Sequence, residues 1–182
     1  MLRKKPLPTS ISATRQQLKN RLKTRWKGEW STSTRFKRLL AIDHSLPSQD
    51  YLHIISQLRR NQASLLTQMR TGHAPLNEIL YRIKKSDTPD CPHCGTGFRE
   101  SIFHFLLSCP HYTSARRTLQ SSLNRHALSI PFFLGTRSGI PHLLRFIANT
   151  NRLRTIFGDV RPDDDFVITE KNEQKDVPFQ LV

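Results

Sequence analysis

The 182-residue sequence predicts a mainly α-helical fold, with a small helical domain at its centre, a basic helix before it and a disordered acidic tail after it. Three observations point there. Apolar residues recur at three- and four-residue spacing in one segment after another, whereas strand-like alternation is weak throughout. All three cysteines lie within nineteen residues, so one short stretch carries the whole thiol content of the chain. Charge is graded: residues 1–60 hold 14 Lys/Arg against three acids, residues 61–158 hold 12 against four, and residues 159–182 hold seven acids against three bases. No internal repeat is visible, and an apolar share of 36% implies a modest core.

Residues 1–10 combine two prolines with five polar or basic side chains and are expected to be disordered. A helix follows from Ser12 to about Trp30. Leu18, Leu22, Trp26 and Trp30 recur every four residues along one drifting stripe, and Arg15, Lys19, Arg21, Lys23, Arg25 and Lys27 fill much of the remaining surface. Gly28 weakens the last turn. Such a helix can dock by its Leu/Trp stripe or lay its basic faces against phosphates, and the two uses are compatible. Ser31 to Thr34 reads as a polar linker leading to Arg35, Lys37 and Arg38, so residues 11–44 form a basic helical arm and linker.

Residues 45–130 form the central helical core. Leu46-Pro47-Ser48 starts a helix with Ser48 as N-cap and Asp50 near its positive dipole end. Leu52, Ile55, Leu58, Leu65, Leu66 and Met69 mark its apolar side, with a break around Asn61, and Gly72 is a C-terminal stop. Pro75 opens the next helix, whose face uses Leu76, Ile79, Leu80 and Ile83. Lys84 to Pro92 is a loop, Glu100 to Leu107 a short helix carrying His104, and Tyr112, Ala115, Leu119 and Leu123 outline another. Residues 131–158 hold a connector, Pro131 to Gly135, and a final helix from Ile140-Pro141 with Leu143, Leu144, Phe146 and Ile147 facing inward. From Asp159 the chain turns acidic and aperiodic, and residues 159–182 are expected to be a disordered tail.

The cysteines read Cys91-Pro92-His93-Cys94-Gly95, then His104, then Cys109: a C-x2-C-x9-H-x4-C array. Tetrahedral zinc takes four soft or borderline ligands, and Cys₃His is one of its standard sets. A C-P-x-C-G turn lets two thiolates meet one ion, with Gly95 supplying left-handed backbone. One helical turn and a break at Pro110 can bring His104 and Cys109 to the same point. His111 and His93 remain as alternative fourth ligands. Three thiolates and an imidazole leave a charge of about −1 around Zn2+, which Arg99, Arg116 and Arg117 are placed to offset. Four protein ligands leave no position for an activated water, so the expected zinc is structural. The core is thus a small helical domain built around a Cys₃His zinc site, and losing the metal is expected to unfold it. The alternative is three unligated thiols beside a histidine by chance.

Catalytic sets are not evident. A zinc deaminase places H-x-E upstream of P-C-x-x-C, but His73-Ala74-Pro75 and Asp90 before Cys91 break that pattern. Asp163-Asp164-Asp165 could suggest a two-metal nuclease, yet consecutive side chains diverge and the run reads as a solvated tail. No G-x-S-x-G nucleophile motif occurs. The net charge of +15 and a pI near 10.6 call for a polyanionic partner, RNA or DNA first, against the plainer reading of a solvated basic surface. Candidate phosphate contacts are Lys19, Arg21, Lys23, Arg25, Arg35, Lys37 and Arg38, with Arg59, Arg60, Lys84 and Lys85 extending the surface. Without a run of about 18 apolar residues, no membrane span is expected, and without an apolar h-region, no secretory signal. An odd cysteine count with C-x2-C spacing fits metal thiolates in a reducing, intracellular compartment. Arg3-Lys4-Lys5 adds a nuclear expectation.

Arg70-Thr71-Gly72-His73-Ala74-Pro75-Leu76-Asn77, followed by Cys91-Pro92-His93-Cys94-Gly95, Glu100-Ser101, His104-Phe105-Leu106-Leu107 and Cys109-Pro110, resembles the region after the RNase H domain in fungal non-LTR (LINE-type) retrotransposon polyproteins. Leu39 to Pro47, Gln62 to Leu66, Leu143-Leu144-Arg145-Phe146 and Phe157-Gly158-Asp159-Val160 extend the likeness to roughly residues 20–160. The resemblance implies zinc ligands at Cys91, Cys94, His104 and Cys109, and a nucleic-acid-handling tail of a reverse transcriptase. Reverse transcriptase and RNase H carboxylates have no counterpart in these residues, so the chain is expected to be a severed C-terminus without polymerase or nuclease activity. Two further expectations stand beside nucleic-acid binding: a docking domain for an RNase H or reverse transcriptase part, with the Leu18, Leu22, Trp26 and Trp30 stripe as interface, and a functionless remnant reading frame.

Overall fold

The computed structural model describes residues 10–34, 36–46, 48, 50–123 and 129–169. Expectations about residues 1–9, Arg35 and residues 170–182 lie outside them. The chain divides into two compact units, Met1–Lys37 and Arg38–Val182. The described residues are mainly helical. An isolated antiparallel bridge, Asp90 with Arg99, is the β-type pairing found among them.

The first unit is essentially one long helix, α1 (Ile11–Thr32). Ser10 caps it, its hydroxyl accepting from the Ala13 N–H at 3.2 Å, which satisfies one of the orphan donors of the first turn. The helix runs through Gly28 and two residues into the segment expected to be a linker. There the Ser31 and Thr32 hydroxyls donate back to the Gly28 and Glu29 carbonyls, a bond pattern that helical backbone supplies to hydroxyl side chains. None of its residues is buried.

The division falls inside α2 (Phe36–Leu40). The second unit then holds α3 (Asp50–Ser56), α4 (Arg60–Thr71), α5 (Asn77–Arg82), the metal segment, α6 (Thr113–Leu123), α7 (Ile130–Gly135), α8 (Gly139–Thr150) and α9 (Arg154–Phe157). α8 packs against α6 and α7, and α4 against α7 and α9. Leu65, Leu66 and Met69 of α4, Phe133 and Leu134 of α7, and Ile140, Leu143, Leu144, Phe146 and Ile147 of α8 make the centre of the core.

Two helices replace the single one expected from Ser48 to Thr71. Ser48 does receive the Asp50 N–H at 3.3 Å, but α3 ends at Ser56 and α4 restarts after Arg59, whose N–H is taken by the Gln62 side chain at 3.0 Å. Within α3, Leu52 faces solvent while Ile54 is buried. Gly72 ends α4 in left-handed backbone (φ 76°), with the His73 N–H on the Gln68 carbonyl at 2.8 Å. α5 begins two residues after Pro75 and stops at Arg82, which leaves Ile83 outside the helix and exposed.

Two expectations are corrected. Pro131 to Gly135 is helical rather than a connector, because Ser129 caps the segment through the Phe132 N–H and Pro131 sits in its first turn. The chain also does not leave the body at Asp159: Val160 and Ile168 are buried in the core. Asn61 donates to the carbonyls of Phe157 and Asp159 at 3.0 and 2.9 Å, Arg145 to those of Asp163 and Asp164 at 3.0 and 2.8 Å, and the Gln57 carboxamide exchanges bonds with Thr169. Acidity marked this stretch as tail, but its carboxylates stay exposed while its backbone and apolar side chains do the packing.

Candidate metal centre

The site begins with a reversed loop. The Cys91 N–H meets the Phe98 carbonyl at 2.7 Å and the Glu100 N–H meets the Pro89 carbonyl at 2.9 Å, so residues 89–100 fold back on themselves. Between these rungs the Cys94 and Gly95 N–H groups both reach the Cys91 carbonyl, at 3.3 and 3.1 Å, and Gly95 takes φ 78°. That turn presents Cys91 and Cys94 side by side. The second half is a π-helical turn, His104–Ser108, closed by the Cys109 N–H on the His104 carbonyl at 2.7 Å. An α-turn aligns residues four apart; the wider π-turn aligns residues five apart, which is the spacing of His104 and Cys109.

The four ligand atoms lie within 4.8 Å of one another. Cys94 Sγ is 3.5 Å from Cys109 Sγ and 3.4 Å from His104 Nε2, and Cys91 Sγ is 3.8 Å from Cys109 Sγ. A tetrahedron with bonds of ~2.3 Å to sulfur and ~2.0–2.1 Å to nitrogen has edges of about 3.5–3.8 Å, so the donor set fits one tetrahedral ion. The three cysteines are free thiols. Burial and the neighbouring sulfurs push the Cys94 thiol up to about 12, and burial pushes Cys109 up as well. Cys94 and Cys109 therefore resist becoming thiolates together unless a cation compensates them. Burial pushes the His104 imidazole down, toward the neutral ligand form. Its Nδ1 faces Ser108 Oγ at 3.3 Å, which leaves Nε2 for the metal.

Arg116, among the three arginines expected to offset the site charge, is buried and donates to the Cys109 carbonyl, whereas Arg99 and Arg117 are exposed. His93 and His111 are not in the quartet. Their rings stack on each other at 3.6 Å and 3°, with Tyr112 edge-on to both. Among the described residues, Asp163, Asp164 and Asp165 join no group that could hold an ion.

Sequence reasoning missed the residues that hold the site in place. Glu100 is fully buried and grips Arg152 through two bonds of 2.6 and 2.7 Å, while its Oε2 also accepts the Asn77 N–H at 2.7 Å. Asn77 donates in turn to the Asp90 carbonyl at 2.8 Å. This lock ties α5, both ends of the metal loop and the turn after α8. Phe105, inside the π-turn, packs against Phe146 of α8 and Tyr112 at 5.6 and 5.2 Å. Arg70 plays a parallel role, bonding Asp43 and the Leu134 carbonyl at 2.8 and 2.6 Å beneath Tyr51. Ser108 had a sequence signal, one turn after His104; Arg152 had none.

The candidate phosphate contacts divide between the units. Lys19, Arg21, Lys23 and Arg25 are exposed along α1, with Arg25 paired to Glu29 at 2.8 Å. Lys37 and Arg38 are exposed on α2. Among the described residues, no helix is long and apolar enough to cross a membrane. Compared with family models, curated proteins and solved structures, the chain matches none.

Proposed function

We propose that this chain is a non-catalytic, zinc-stabilised nucleic-acid-binding module, related to the region that follows RNase H in fungal non-LTR retrotransposon polyproteins. The observation that carries the reading is the convergence of all three cysteines and His104 within 4.8 Å, three of the separations being tetrahedral edge lengths, in a chain of net charge +15. Cys91, Cys94, His104 and Cys109 would hold the ion, which supplies cross-linking rather than chemistry because four protein donors saturate it. Lys19, Arg21, Lys23, Arg25, Arg35, Lys37 and Arg38 would contact phosphates, each neutralised phosphate releasing counterions. A nuclear location is part of this reading, supported by the resemblance and by basic clusters such as Arg3-Lys4-Lys5.

Filter binding of the zinc-loaded chain to duplex and single-stranded nucleic acid at two salt concentrations tests this. Affinity is expected to fall steeply between the two. Equal, negligible binding at low salt contradicts it.

The exposed stripe of α1 favours a second role, docking onto an RNase H or reverse transcriptase part. Leu18, Leu22 and Trp26 are 57%, 58% and 42% exposed, which is much apolar surface for one helix. Self-association of the isolated chain in light scattering is the expected sign, and a clean monomer counts against it.

A further inference from the structure

A cleft of about 630 Å³ opens on the outer side of the metal loop, between α5 and residues 99–103. Three arginines line it, Arg38, Arg82 and Arg99, together with the aromatic rings of Tyr81 and Phe103. All three guanidinium groups are solvent-exposed, and none makes an ion pair among the described residues. Tyr81 and Phe103 are 50% and 60% exposed. Two carboxylates reach the lining. Glu100 is already neutralised by Arg152, which leaves Glu78 as the acid without an ion pair among the described residues, in a lining that holds three arginines. Gly72 forms part of the floor; a Cβ there would lie 1.9 Å from the Arg38 guanidinium, so the missing side chain is what lets Arg38 lie over the helix end.

We infer that this cleft binds single-stranded polynucleotide, its arginines holding phosphates and Tyr81 and Phe103 stacking on splayed bases. The inference rests on the nucleic-acid reading above and deepens it. Guanidinium forks match phosphate oxygens bidentately. Exposed aromatic rings gain from a base only when its face is free, which a duplex denies and a single strand offers. The volume lies in the ~300–1,000 Å³ range of built ligand clefts. α1, by contrast, offers a convex basic surface on which duplex phosphates are as good as any. The cleft wall runs between Cys94 and His104, so the metal that orders the loop also orders the wall.

The test is fluorescence anisotropy of the zinc-loaded full chain with a labelled uridine 12-mer, a thymidine 12-mer and a duplex of equal length. Arg82→Glu with Arg99→Glu, and separately Tyr81→Ala with Phe103→Ala, are expected to weaken the single strands about tenfold or more and the duplex less than threefold. Arg117→Glu, an exposed charge reversal outside the cleft, controls for bulk charge. All these side chains are exposed, and metal stoichiometry checks the fold. Photo-cross-linking of a 4-thiouridine oligomer to the wild type gives a readout independent of any variant, with adducts expected on peptides containing Tyr81 or Phe103. Cleft variants that bind single strands like wild type, lose no more than Arg117→Glu, or leave adducts confined to α1 overturn the inference while leaving nucleic-acid binding standing. Displacement of the oligomer by polyglutamate at equal charge also overturns it, since the cleft would then read charge alone. An absence of all binding at low salt removes both readings together.

Discussion

α8 buries seven of its twelve residues, whereas α1, with 22, buries none. α8 is apolar along most of its length, with Arg145 as its one Lys/Arg/Asp/Glu side chain. α1 instead sets Arg15, Lys19, Arg21, Lys23, Arg25 and Lys27 between a few apolar ones. Their order has different sources. α1 rests on its own backbone bonds, the Ser10 cap and the exposed Arg25–Glu29 pair, which solvent screens. Single helices of this kind are marginal in water. α8 is held by neighbours: α6 and α7 on its sides, Phe105 of the metal turn against Phe146, and Arg152 just past its end locked to Glu100. A pattern of apolar spacing therefore says that a helix can form; what packs on it decides whether it belongs to a core. In this chain the candidate metal segment is fastened to that core through Phe105 and the Glu100–Arg152 pair, and the arm carries charge.

The largest expected effect separates the two regions outright. Chelation, or Cys91→Ser, removes a binding free energy on the order of 10–16 kcal/mol from a domain with ~5–15 kcal/mol of net stability. Hydrogen exchange should show the second unit losing protection while exchange along α1 stays as fast as before.

The pH dependence of the body follows from its ligand set. Protons compete with the metal for the three thiolates and for His104, so the stability of the zinc-loaded chain should fall as pH falls. Melting curves of the zinc-loaded chain from about pH 8 down to about pH 5 check the slope.

Next in size are the links between metal loop and core. Phe105→Ala should cost about 3–5 kcal/mol through the cavity it leaves. Arg152→Ala should cost a similar ~3–5 kcal/mol, because Glu100 would remain buried without its partner. Urea denaturation of zinc-loaded protein measures both. The smallest effect is on the arm: Leu18→Ala and Trp26→Ala should change the stability of the body by less than ~0.5 kcal/mol.

The metal quartet was legible because its chemistry restricts spacing: thiolates at C-x2-C and a histidine five residues before the last cysteine leave few geometries. Gly72 and Gly95 were legible because left-handed backbone favours glycine. Arg70 and Glu100 could be noticed only as parts of a resemblance. Their partners, Asp43 and Leu134, Asn77 and Arg152, lie 23 to 64 residues away, and no local pattern announces them. α7 was misread because six residues are too few to show a period, and residues 159–169 because charge masked two buried apolar side chains, Val160 and Ile168. The stripe of α1 showed the reverse weakness: Leu18, Leu22, Trp26 and Trp30 keep a four-residue spacing with nothing buried behind it.

The central claim is that one ion holds Cys91, Cys94, His104 and Cys109 together and, through them, the body. Its most direct test is elemental analysis of protein purified without added metal, followed by thermal melting before and after chelation. One zinc per chain, with the cooperative melt abolished by chelator, is the predicted result. A chain without metal, or a melt that chelator leaves unchanged, contradicts the account.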